Sequence, residues 1–306
     1  MAGLLDDPHT LSAVPAAAGE TDPPEPPPPL DESARARALL AAQPVVEGRV
    51  EFPTGLDPED FPPVRAPEAG AQFWSVHVGP GEGVVGALRR IDAIRALVAA
   101  CPEDLRLAHG TTEMAQALNH GRVAALLGPV SANALGGSLA TLRAYHALGV
   151  RAVTLTGFDR FVRDAVREMN RLGLAVDLSG AAPDTVREVL AVAKAPVLMT
   201  EGDPASLPDE VLRLLGGNEG VCMVPVAEDP AATADVLDRV HTLAGSHSVG
   251  LSHAKDPVDG YVPLFAELLR RGWPAQDLVL LAHANTTRAL RQTEFRSRAT
   301  RLRTAA

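Results

Sequence analysis

The sequence predicts a (β/α)8 barrel, a TIM-like α/β fold. Short apolar or β-branched runs alternate with segments of helical periodicity along the chain. Eight such runs fall within about 250 residues, the arithmetic of eight βα units. No glycine-rich fingerprint follows the first run, so the open doubly wound sheet stands as an alternative without its usual motif.

Taken in order, residues 1–35 are rich in Pro, Ala, Glu and Asp, with Pro26 to Pro29 in one run. Such a segment buries too little apolar surface to offset its ordering entropy, and a disordered leader is expected. The strands are expected at Val45–Val50, Gln72–Val78, Arg122–Leu127, Ala152–Thr156, Leu174–Leu178, Val197–Met199, Val221–Val226 and Ser248–Leu251. Helical periodicity covers Val84–Ala100, Leu139–Leu148, Phe161–Leu172, Asp184–Ala193, Pro208–Leu215 and Ala231–Ala244. Acidic residues mark starts, as Asp184 ahead of Thr185 and Asp209-Glu210 in a first turn. The barrel is assigned to residues 36–293. Residues 294–306 form a basic tail, expected to be a solvated, frayed helix end.

The bulk composition narrows the function. At 306 residues and 46% hydrophobic, the chain can bury one large core. A net charge of −10 argues against nucleic acid, which requires a basic face. Among 28 basic residues only Lys194 and Lys255 are lysine. Cys101 and Cys222 form no CxxC pair and read as small buried hydrophobes. The N-terminus has no basic and apolar signal pattern, and no window approaches a spanning length, so a cytoplasmic chain without membrane contact is expected.

Several segments carry a family resemblance. Gly70-Ala71-Gln72-Phe73-Trp74-Ser75-Val76 and Arg167-Glu168-Met169-Asn170-Arg171-Leu172-Gly173 closely resemble stretches of the membrane (renal) dipeptidase family, peptidase M19 of the amidohydrolase superfamily. Leu148-Gly149-Val150-Arg151 with Thr154-Leu155-Thr156 resembles its fourth strand, and Val176-Asp177-Leu178-Ser179 its fifth. Pro208 to Leu215, Ala266 to Trp273 and Asn285 resemble later helices. The resemblance implies a metal-dependent hydrolase barrel. Active members are binuclear zinc enzymes that cleave dipeptides: a carboxylate bridges the cations, imidazoles complete the shell, and a bridging hydroxide attacks the carbonyl.

The ligand positions that the resemblance assigns are filled differently here. The family's first strand ends Asp-Gly-His-Asn-Asp, against Glu47-Gly48-Arg49-Val50-Glu51. Arg49 is a permanent cation that cannot ligate a metal, while Glu51 keeps a carboxylate. The bridging Glu corresponds to Val130. The fourth-strand His is Gly157, the fifth-strand His is Gly180, and the sixth-strand His falls at Glu201. The catalytic Asp of the eighth strand is Ala254; a shift of one residue would bring in His253. No Arg lies between Lys194 and Arg213 to grip a substrate carboxylate. No metal or other cofactor is therefore expected.

Asp177, His253 and His77 remain candidates for a pocket at the mouth, and His109 could also face it. The other histidines read as surface or packing residues. Ser131, Ser179 and Ser252 lack a G-x-S-x-G elbow. Three readings stay open: a non-hydrolytic homologue acting by binding or as a homo- or heterodimer partner of a dipeptidase-like chain; an enzyme with a rebuilt mononuclear site using Glu51, Glu201 and Asp177 with His253 or His77; and an ordinary dipeptidase with its metals elsewhere. With the cations gone, Arg49 is expected to pair with Glu201, Glu51 or both, with a bidentate contact one option.

Overall fold

The computed structural model describes residues 31–51, 68–79, 81–254 and 260–305. Residues 1–30 of the expected leader, and Lys255 and Asp256 beyond the last strand, lie outside them. Among the described residues there are nine strands: β1 Val45–Glu51, β2 Ala69–Val76, β3 Leu105–Leu107, β4 Val123–Ser131, β5 Ala152–Thr154, β6 Ala175–Asp177, β7 Leu198–Met199, β8 Val221–Val226 and β9 Val249–Ala254. Their order is β2-β1-β9-β8-β7-β6-β5-β4-β3, and β2 also pairs with β4. That pairing closes eight parallel strands into a barrel, with the three-residue β3 on the outer edge of β4.

The helices are α1 Glu32–Ala42, α2 Gly83–Ala100, α3 Thr111–Asn119, α4 Leu139–Ala147, α5 Arg160–Leu172, α6 Pro183–Val192, α7 Asp209–Gly217, α8 Pro230–Ala244, α9 Val262–Arg270, α10 Ala275–Val279 and α11 Asn285–Ala305. Most follow a strand and return the chain to the start of the next, as a parallel sheet requires. Local chemistry sets several ends. Asp159 and Asp31 accept the Val162 and Ala34 amides at 2.7 Å and so cap α5 and α1. Pro183 opens α6 where no amide partner is needed. Gly173 ends α5 in a left-handed conformation, φ +84°.

Side chains along the strands divide by parity. Ala71, Phe73, Ala124, Leu126, Ala152, Ala175, Leu198, Val221 and Met223 form an inner cluster, while Trp74, Val123, Ala125, Leu127, Val153, Val176, Cys222 and Val224 join the larger layer beneath the helices. The inner residues are mostly small near the strand starts. Met114 and Ala117 of α3 and Ala289 and Leu290 of α11 complete that cluster and plug the N-terminal end of the barrel. The opposite end is polar: Thr154, Asp177, Thr200 and Ser252 occupy the inward positions there and are buried.

Two expected boundaries change. Residues 32–35 belong to α1, whose Ala36 and Leu40 are buried, so they are part of the folded barrel and not of the leader. Residues 294–300 are not a frayed tail. Glu294 accepts the Thr111 amide at 2.7 Å and the Thr111 hydroxyl at 3.0 Å, and Ser297, buried, donates to the Arg171 carbonyl. The helix is held because it seals the barrel floor.

Candidate functional site at the barrel mouth

The C-terminal ends of the strands, where barrel active sites lie, carry the candidates. Arg49 on β1 is central. Its backbone amide donates to the Thr200 carbonyl, just beyond β7, at 2.7 Å. β8 and β9 separate β1 from β7 in the sheet, so this bond crosses the mouth and draws its rims together. Gly48 permits the approach, since an added Cβ would lie 2.0 Å from the Thr200 oxygen. The Arg49 carbonyl is engaged as well: His253 Nδ1 lies 3.0 Å away and the Ser252 hydroxyl donates to it at 3.4 Å.

The expected ion pairing is present, but it is not bidentate. Arg49 Nη1 lies 3.4 Å from Glu201 Oε2, and Arg49 Nε lies 3.6 Å from Glu51 Oε1, beyond hydrogen-bond range. The guanidinium side chain is only 16% exposed, while Glu51 and Glu201 are 60% and 41% exposed. One fixed cation therefore lies between two acids, Glu51 and Glu201, at positions where the family resemblance places metal ligands.

Asp177 is not a mouth-lining acid. It is completely buried, and its carboxylate accepts four hydrogen bonds: from the Thr154 hydroxyl at 2.6 Å, the Ser179 hydroxyl at 2.7 Å, the Thr200 amide at 2.7 Å and the Thr200 hydroxyl at 3.0 Å. Three of these reach Oδ1 and one reaches Oδ2, so the group ties the ends of β5, β6 and β7 together. The Glu201 amide in turn donates to Ser179 at 3.0 Å, which fixes where Glu201 leaves the strand.

The remaining positions divide clearly. Val130 is fully buried between β2 and β5 and offers no donor. Gly180 has φ +70° and open space where a side chain would project, and Gly157 is likewise unobstructed. His77 lies just past β2, exposed, in a separate rim pocket of about 520 Å³ with Ser131 and Asn133. His109 is not at the mouth. It packs near Arg151 and Gly173, which precede β5 and β6, and its Nδ1 lies 2.8 Å from Glu113. Ala254 ends β9, paired with Val226.

Sequence reasoning missed the cross-mouth bond and a second buried network. Glu47 on β1 accepts from Gln72 and, at 2.6 Å, from the Tyr261 hydroxyl. Gln72 Oε1 accepts from the Trp74 indole at 2.9 Å. The available sign was a carboxylate following the apolar start of β1, with Gln72 and Trp74 at alternate places on the neighbouring strand. Cys222 is buried, and burial, followed by the nearby Asp203, pushes its thiol up to about 12, which leaves no thiolate for chemistry.

A parallel eight-stranded barrel with polar residues gathered at its C-terminal end is the arrangement on which barrel proteins build their sites. The membrane dipeptidase family, peptidase family M19, matches residues 33–304. Dipeptidase 3 of Rattus norvegicus is 32% identical over 279 residues, covering 74% of this chain. Dipeptidase aclJ of Aspergillus oryzae is 32% identical over 298 residues, covering 78% of this chain and 71% of its own. The chain spans 56% of the length of the rat relative. The probable dipeptidase PvdM from Pseudomonas aeruginosa superposes with a TM-score of 0.76 at 16% identity, over 87% of this chain and 99% of that one. The chain belongs to the membrane dipeptidase family.

The donor set at this mouth does not fit the two zinc ions that the family resemblance implies. Arg49 has no lone pair to give, Val130 and Gly180 have no donor atom, and Asp177 is buried and held in place by four hydrogen bonds. Among the described residues no group of three or more His, Cys, Asp or Glu could hold a metal ion.

Proposed function

We propose that this chain is a non-hydrolytic member of its family that acts by binding or as a homo- or heterodimeric partner of a dipeptidase-like chain. The observation that carries the reading is Arg49. Its guanidinium lies between Glu51 and Glu201, and its backbone is bonded across the mouth to Thr200. A hydrolytic dinuclear centre needs anionic and imidazole donors converging on open space. Here a permanent cation lies between the two acids, and the family resemblance assigns the bridging carboxylate to the position of Val130.

A second reading is a hydrolase with a rebuilt mononuclear site. The observation favouring it is His253, whose Nδ1 lies against the Arg49 carbonyl in the manner of imidazoles that ligate a metal through the other nitrogen. Glu201 or Glu51 would have to release Arg49 to join it.

Elemental analysis of the purified protein, with a dipeptide hydrolysis assay in zinc-supplemented buffer, tests both. No bound metal and no turnover is the expected result. One metal per chain with turnover establishes the mononuclear site. Two metals with turnover abolished by a chelator overturns the proposal.

A further inference from the structure

We propose that a pocket of about 550 Å³ at the N-terminal end of the barrel, the end away from Arg49, binds a phosphate dianion, free or carried on a small molecule. Arg167, Asn170 and Arg171 of α5, Lys194 ahead of β7, and Arg296 of α11 line it. No acidic side chain does. This concentration of positive charge occurs in a chain of net charge −10.

The acids behind the pocket do not neutralise it. Arg167 pairs with Asp164 at 3.1 Å. Arg171 pairs with the mostly buried Glu168 at 2.7 Å, but the same carboxylate also serves Arg143. Lys194 and Arg296 have no acidic partner among the described residues. Asn170 adds an oriented neutral donor: its Oδ1 accepts the Lys194 backbone amide at 3.2 Å, which leaves its NH2 group for a ligand. Guanidinium, ammonium and carboxamide donors around one concavity are the groups that bind phosphate oxygens. The volume lies within the range of small-ligand sites.

The competing explanation is that these cations only complement the C-terminal ends of α5 and α6. It covers Arg171 and Lys194. It does not cover Arg296, well inside α11, or the aligned Asn170 amide.

Titration calorimetry of the full chain with inorganic phosphate at constant ionic strength tests the site. Saturable binding of one phosphate is expected, with no comparable heat from chloride. Lys194→Gln and Arg296→Gln should each weaken it about tenfold, the loss of one charge-assisted contact. Their melting temperatures report that both variants stay folded. Glycerol phosphate binding more tightly than phosphate assigns the site to phosphate monoesters; equal or weaker binding assigns it to the free anion. Because the chain has only two lysines, pyridoxal phosphate followed by borohydride gives a second readout. Lys194 should be labelled ahead of Lys255, and inorganic phosphate should protect it. Chloride reproducing the heat, affinity unchanged in both variants, or equal unprotected labelling of the two lysines would overturn the proposal.

Discussion

Replacing Asp177 by alanine removes the shared acceptor of four hydrogen bonds from a site with no access to water. The three hydroxyl bonds, from Thr154, Ser179 and Thr200, can re-form in part, because a hydroxyl rotates toward a neighbouring oxygen. The Thr200 amide cannot rotate. A buried donor left without its partner costs about 1–3 kcal/mol, and a bond to a charged group is worth about 1.5–3 kcal/mol. One orphaned amide and at least one poorly satisfied hydroxyl give a loss of about 4 kcal/mol. In a domain of this size that lowers the melting temperature by roughly 8–16 °C.

Thermal unfolding followed by circular dichroism, with urea titration to check that the slope is unchanged, measures the loss. Asp177→Asn keeps the shape and one acceptor oxygen, so it should fall between wild type and Asp177→Ala. The side chain also anchors Ser179, which receives the Glu201 amide, so the loss should loosen the mouth as well as the barrel wall. Loss of less than about 1 kcal/mol in Asp177→Ala would refute the structural role, since no single orphaned buried donor is that inexpensive.

Other outcomes follow from the same geometry. Hydrogen bonds from Arg171, opposed by burial and reinforced by Arg143, hold the Glu168 carboxyl down at about 2. A depressed folded-state pKa stabilises the protein above the unfolded value of 4.5, and that stability is lost as pH falls through about 2. Solvent screening at the half-exposed guanidiniums of Arg143 and Arg171 keeps the contribution to about 1 kcal/mol; Glu168→Gln should be less stable at pH 7 and show a flatter acid limb over this window, and an unchanged acid limb would contradict the assignment. Gly48→Ala should be severely destabilised or insoluble, because its Cβ meets the Thr200 oxygen at 2.0 Å; a soluble variant with wild-type melting would remove the cross-mouth contact from the argument. Arg49→Ala should lose about 1 kcal/mol, kept small by the half-exposed acids, and the loss should shrink in high salt; a variant that melts like wild type would show the pairing contributes nothing.

Much of the barrel was legible because parallel strands buried on both faces read as apolar runs, and each of the eight fell close to its place. β3 was missed because three residues, Leu105–Leu107, are too few to show a period. The opening of α1 was absorbed into the leader because its alanines and arginines look like disorder until Ala36 and Leu40 find a surface to cover. At the mouth, the positions facing Arg49 could be listed from the chain, but Asp177 could not be placed. Its burial depends on hydroxyls from Thr154, Ser179 and Thr200, three strand ends that meet only in the closed barrel. The bond from Arg49 to Thr200 is of the same kind: it joins positions that alternation along one strand cannot relate.

The substitutions at the mouth are coupled by charge. Glu51 and Glu201 approach one centre, and without a cation between them the two carboxylates would repel each other. Arg49 supplies that cation from the position of an imidazole, and it does so without the open coordination space that two ions require. Its backbone then bonds Thr200 through the gap that Gly48 leaves, so the rim has closed where ligands would have to converge. Returning position 49 alone to histidine would therefore remove the charge that holds the two acids, while Val130 and Gly180 still offered no donors.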